Sequence, residues 1–148
     1  MKKNIALIDD DDGPIVYYEM ALEGAGFHVI RLRTFKAALE FISNPSPAPD
    51  MWIVDVMMSV RDESLTVDGV DATQSTSLGL GAGLLLYKKI KQSDPEVPAM
   101  LLTSISTPDL LNDMEATLED GDTCESKLEV LPEDLVRIAE NRIQCVLS

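Results

Sequence analysis

The chain has 148 residues, 26 acidic and 12 basic, for a formal net charge of −14. That length suits one domain, and a composition of 45% hydrophobic but only 5% aromatic residues supplies one sizeable, mainly aliphatic core. So negative a chain repels nucleic acid and anionic membrane surfaces. Lys88, Lys89 and Lys91 read as the solvated end of one helix, not as a binding patch, and a divalent cation is a more natural partner than a phosphate backbone. Cys124 and Cys145 lack metal-ligand spacing; a disulfide between them stays open, with reduced thiols the expected state. The first apolar run stops at Asp9, too short for a signal peptide or a membrane span. The expectation is a cytoplasmic protein with no membrane contact and no direct contact with nucleic acid.

Ile5-Ala6-Leu7-Ile8 reads as a strand buried on both faces and ending in acid. Pro14 suits a first helical turn, Ile15, Tyr18 and Leu22 follow at helical spacing, and Gly24 and Gly26 close the helix. Phe27 to Leu32 is a second strand. Thr34 is the N-cap of a helix carrying Phe35, Ala38, Leu39 and Ile42 on one face. A proline-rich loop leads to the third strand, Met51 to Val54, which also ends in acid at Asp55. From Ser59 to Ala82 no periodicity is visible, and the segment reads as an inserted loop. Gly79-Leu80-Gly81-Ala82-Gly83 within it fits a linker better than a dinucleotide-binding turn, because no strand directly precedes it.

Helical pattern returns at Leu84 to Ile90, and Ala99 to Leu102 is a fourth strand ending at Thr103. Thr107-Pro108 opens a helix through Leu110, Leu111, Met114 and Leu118. A fifth strand, Thr123 to Ser126, ends at Lys127, and Pro132 opens a last helix with Leu135, Ile138, Ala139, Ile143 and Val146 along one stripe. Five alternations of strand and helix imply a parallel sheet covered on both faces.

Ligands of such sheets bind outside the carboxyl ends of the strands. Those ends carry Asp9 and Asp10, Asp55, Thr103 and Lys127. Clustered carboxylates repel one another unless a hard cation intervenes, and Mg²⁺ accepts carboxylate oxygens together with a phosphoryl oxygen. A lysine and a threonine can bind the remaining phosphoryl oxygens, and a carboxylate can itself accept the group.

In this order, Leu7-Ile8-Asp9-Asp10, Ile53-Val54-Asp55-Val56-Met57-Met58, Leu101-Leu102-Thr103-Ser104 and Ser126-Lys127 resemble the receiver domain of response regulators, over nearly the whole chain apart from the insertion. The resemblance implies a flavodoxin-like (βα)5 three-layer sandwich: a single domain over residues 1–148 with an inserted loop at about 59–82. It implies that Asp55 is the phosphoacceptor, and that Asp10, Asp55 and the backbone carbonyl of Met57 hold Mg²⁺ with Asp9 acting through water. Thr103 and Lys127 would bind the phosphoryl group. The implied donor is a sensor histidine kinase or phosphotransfer protein, and the implied output is contact with a downstream protein target. Such a domain assists its own phosphorylation without being an enzyme for others.

Met57 and Ile105 fall where the family tunes the lifetime of the aspartyl phosphate. Both are apolar and neither can position a water, which implies slow self-dephosphorylation. The chain departs from the family at Ser59 (usually proline), at Leu128 after the lysine (usually proline, often with a cis bond) and at Cys124 (usually aromatic), while Gly83 matches the glycine that opens the third helix. Asp9 to Gly13 also resembles the nucleophile loop of haloacid-dehalogenase-type phosphatases, in which Asp9 or Asp10 would attack and Glu119 to Asp122 would supply later acids. A third reading is a receiver-like docking module that is never phosphorylated.

Overall fold

The computed structural model describes residues 2–11, 13–56, 58, 66–67, 70–71, 82–104, 112, 114–119 and 121–147. Five strands form one parallel sheet: β1 (Asn4–Ile8), β2 (His28–Leu32), β3 (Met51–Asp55), β6 (Ala99–Thr103) and β7 (Thr123–Ser126), in the order β2-β1-β3-β6-β7. The described helices are α1 (Ile15–Gly24), α2 (Phe35–Ser43), α3 (Ala82–Ser93) and α4 (Pro132–Leu147). This is the flavodoxin-like arrangement. The strand order reverses between β1 and β3, and the crevice there lies outside their carboxyl ends.

Each element follows from its residues. The three central strands are continuous apolar runs because both of their faces are covered. On one face, Ala6, Trp52, Val54 and Leu101 pack with Phe35, Ile42, Leu86 and Ile90 of α2 and α3. On the other, Leu7, Ile53 and Leu102 pack with Tyr18, Leu22, Leu135 and Ala139 of α1 and α4. Thr34 is extended and its hydroxyl accepts the Ala37 amide at 3.0 Å, as an N-cap should. Gly26, at φ 100, lets the chain leave α1 so that the Phe27 amide reaches back to the Leu22 carbonyl at 3.1 Å.

One expectation changes. The inserted segment, read as a loop, contains a short antiparallel pair, β4 (Thr66–Val67) and β5 (Val70–Asp71). Two-residue strands are too short to show a period-2 signal. The helix α3 that follows the segment begins at Ala82. Of the helix expected after Thr107, residues 105–111 lie outside the described residues, while Asn112 and Met114 to Ala116 are helical.

Candidate functional site at the carboxyl ends of the strands

Register brings the acids together. Ile8 of β1 pairs with Val54 of β3, so Asp9 and Asp55, each the next residue, emerge at the same level. One carboxylate oxygen from each of Asp9, Asp10 and Asp55 lies within 4.8 Å of the others. Asp9 is fully buried and Asp55 is 4% exposed.

On the far side, Thr103 pairs with Ser126, and the Lys127 amide donates to the Thr103 carbonyl at 2.7 Å. The Lys127 ammonium lies 2.7 Å from Asp9 Oδ2 and 3.5 Å from Asp55 Oδ1. Its side chain is 12% exposed. Burial alone would lower the Lys127 pKa, but the hydrogen bond to Asp9 and the charge of Asp55 outweigh it and hold the pKa above the usual lysine value. The pocket is therefore strongly anionic, with one ammonium bridging two of three carboxylates.

The structure brings together four of the residues predicted for the site: Asp9, Asp10, Asp55 and Lys127. Thr103 is buried at the end of β6, beside them in register. Met57 and Ile105 lie outside the described residues. Asp11 accepts the Gly13 amide in a tight turn at 2.9 Å, and α1 has no side-chain cap. Among the described residues the cis bond is Ser46–Pro47, so Lys127–Leu128 is trans, as suits a bond before leucine. Cys124 is a free, buried thiol in the core under α2 and α3.

Three supporting residues escaped the sequence reading or gained a reason only here. Gly83 packs directly on the strand that carries Asp55: its amide donates to the Val56 carbonyl at 3.1 Å, and a Cβ there would lie 2.2 Å from the Asp55 carbonyl oxygen. The Tyr18 phenol reaches from α1 to the Val130 carbonyl at 2.6 Å and the Lys127 carbonyl at 3.2 Å, tying down the turn that carries the lysine. The guanidinium of Arg31 donates to the carbonyls of Asp9 and Asp11. In sequence Tyr18 reads as a core position and Arg31 as a lone strand charge, so no signal marked either.

Of the acids that a phosphatase reading would need, Asp120 lies outside the described residues and Asp122 is placed away from the carboxyl edge. Asp122 accepts the Ala99 amide at 3.0 Å, which puts it at the amino-terminal edge of the sheet, opposite Thr103. There it also accepts the Tyr87 hydroxyl at 2.7 Å and pairs with Lys91 at 3.0 Å and Arg142 at 3.5 Å. Burial, then the bond to Asp122, raises the Tyr87 pKa well above its usual value. Lys91, expected on a solvated helix end, is a largely buried partner of that cluster.

The donor set at the carboxyl edge fits a hard divalent cation. It offers oxygens only, from three carboxylates close enough to converge on one ion, at a position whose repulsion a cation would relieve.

The sequence matches no protein-family model and no curated protein. The fold does match solved structures. A CheY-like response regulator receiver domain protein from Methanospirillum hungatei is 17% identical, with TM-score 0.68 over 99% of this chain and 98% of that one. A response regulator receiver domain protein from Clostridium thermocellum is 22% identical, with TM-score 0.69 over 97% and 95%. A response regulator receiver protein from Sinorhizobium medicae is 15% identical, with TM-score 0.72 over 98% and 97%. The chain has the receiver-domain fold.

Proposed function

We propose that this chain is a phosphorylatable response-regulator receiver, a single unit over residues 1–148 with an insertion at about 59–82, and that Asp55 is its phosphoacceptor. The observation that carries the reading is the convergence of Asp9, Asp10, Asp55 and Lys127 at the switch point of the sheet. In the transfer, an Asp55 oxygen forms a bond to phosphorus as the phosphorus–nitrogen bond of a donor phosphohistidine breaks, and the imidazole leaves with the electron pair. Asp10, Asp55 and the Met57 carbonyl would hold Mg²⁺, with Asp9 acting through water, and the ion would supply the charge neutralisation that lets an anionic group approach a carboxylate. Lys127 then exchanges its contact with Asp55 for a phosphoryl oxygen, and the Thr103 hydroxyl takes another. Apolar Met57 and Ile105 leave the product long-lived.

The donor is a sensor histidine kinase or phosphotransfer protein, and output passes to a downstream protein target. Exposed Tyr17 and Met20 on α1 and exposed Leu128 and Leu131 after β7 offer apolar surface for such contacts. Their two segments are joined by the hydrogen bonds of Tyr18. Among the described residues no helix is long and apolar enough to cross a membrane.

Intact-mass analysis after incubation with Mg²⁺ and acetyl phosphate tests the proposal. One phosphoryl adduct is expected, absent without Mg²⁺ and absent in Asp55→Asn. Steady phosphate release without an adduct would revive attack by Asp9 or Asp10. Neither adduct nor release would leave a docking module.

A further inference from the structure

We infer that Arg31 is a positioning residue for the acidic loop, fixing the backbone on both sides of Asp10 so that its carboxylate meets those of Asp9 and Asp55; the inference rests on the receiver reading above. Arg31 lies on β2, paired in register with Leu7 of β1, and its side chain is 7% exposed. One guanidinium nitrogen donates to the Asp9 carbonyl at 2.7 Å and the Asp11 carbonyl at 3.0 Å. The other lies 3.5 Å from a Glu19 carboxylate oxygen on α1. The Asp9 amide is itself held by the Leu32 carbonyl at 3.1 Å.

The Asp9 carbonyl belongs to the peptide unit entering Asp10, and the Asp11 carbonyl lies one residue beyond it. An aspartate side chain has only two torsions, so its backbone limits the few positions its carboxylate can take. Fixing these two carbonyls therefore aims Asp10. The planar fork of arginine can reach both carbonyls and Glu19 at once, whereas a lysine ammonium is a point charge on a flexible stem. Two effects of Arg31 oppose each other. Its positive charge disfavours a cation nearby, while its anchoring of the loop favours one. Anchoring dominates, because the hydrogen bonds to the loop are direct and Glu19 offsets part of the charge.

Calorimetric titration of the full chain with Mg²⁺ tests this, with far-UV circular dichroism as the check on folding. Loss of a group that orients metal ligands typically weakens metal binding by about 10–100-fold. Arg31→Gln and Arg31→Lys are both expected to weaken Mg²⁺ binding by about tenfold or more, lysine failing to rescue because it restores charge without the fork. Unchanged or tighter binding in folded Arg31→Gln would overturn the inference, as would full rescue by lysine. If neither variant folds, Glu19→Gln decides: it should weaken Mg²⁺ binding by a smaller factor of the same sign, and unchanged affinity would overturn the inference. Absence of Mg²⁺ binding by the wild type would instead remove the receiver reading, and this inference with it.

Discussion

Replacing Gly83 with alanine should damage both stability and the site. The added Cβ would lie 2.2 Å from the Asp55 carbonyl oxygen, 2.4 Å from Val56 Cα and 2.8 Å from Val56 C. Ordinary contact begins near 3.4 Å, so α3 or the end of β3 must move by about 1.2 Å. The obstructing atoms are backbone and cannot rotate away. Overpacking that forces backbone shifts costs about 3 kcal/mol at the upper end of its usual range. The better helix propensity of alanine returns about 1 kcal/mol. A net loss of about 2 kcal/mol lowers the melting temperature by about 4–8 °C in a chain of this size. Because the displaced carbonyl is that of Asp55, Mg²⁺ affinity should fall as well. Gly24→Ala is the control: nothing lies within 4 Å of its Cβ, and it closes α1 without a positive φ, so it should be neutral or stabilising by up to about 1 kcal/mol. Thermal melting followed by circular dichroism, with Mg²⁺ titration of each variant, reads both effects. A Gly83→Ala protein that melts with the wild type and binds Mg²⁺ equally would refute the steric argument.

Tyr18→Phe removes a buried donor from the Val130 and Lys127 carbonyls and should cost about 1–3 kcal/mol in urea unfolding. It should also slow phosphorylation by acetyl phosphate, and an unchanged rate would mean that the turn holds Lys127 without it. Asp122→Ala strips the partner from Tyr87, Ala99 and Lys91 and should destabilise by about 3 kcal/mol. Because Asp122 sits at the opposite edge of the sheet, Mg²⁺ affinity should not change; a folded variant with lost affinity would contradict that placement. Burial first, then Glu115 and Glu125, push the Cys124 thiol up to about 11, so at pH 8 it is almost entirely protonated. Peptide mapping after iodoacetamide treatment should find Cys124 unmodified in the native protein and modified in urea. Equal rates in the two states would show that the thiol is reachable from solvent.

The sheet was legible because its central strands are buried on both faces, so Ile5 to Ile8, Met51 to Val54 and Ala99 to Leu102 are uninterrupted apolar runs, each closed by a polar residue. The acids were legible for the same reason: a polar group at the end of such a run has nowhere to go but the carboxyl edge. What supports the acids was not. Tyr18 keeps helical spacing with Ile15 and Leu22, and nothing in sequence says that its hydroxyl meets the turn after Lys127. Arg31 is one charge in a half-buried edge strand, and its partners are carbonyls, which leave no mark on side-chain pattern. Lys91 looked solvated because it is charged, and only the fold shows that Asp122 neutralises it. Gly83 was matched to a family glycine by order, while its cause, the closeness of α3 to Asp55, exists only in three dimensions.

The hydrogen bond from the Gly83 amide to the Val56 carbonyl has a consequence for how this chain can vary. It ties together the two points where the backbone departs from the sheet after Asp55 and rejoins it at α3. The residues between Met58 and Ala82, both of which are buried in the core, are thus an excursion closed at its base. The entropy of closing such an excursion grows only logarithmically, about 0.6 kcal/mol for each doubling of length. Sequence can be added or removed there at small energetic expense while strand order, register and the acidic cluster stay as they are. The excursion is an exchangeable cassette whose base, at Val56 and Gly83, adjoins Asp55.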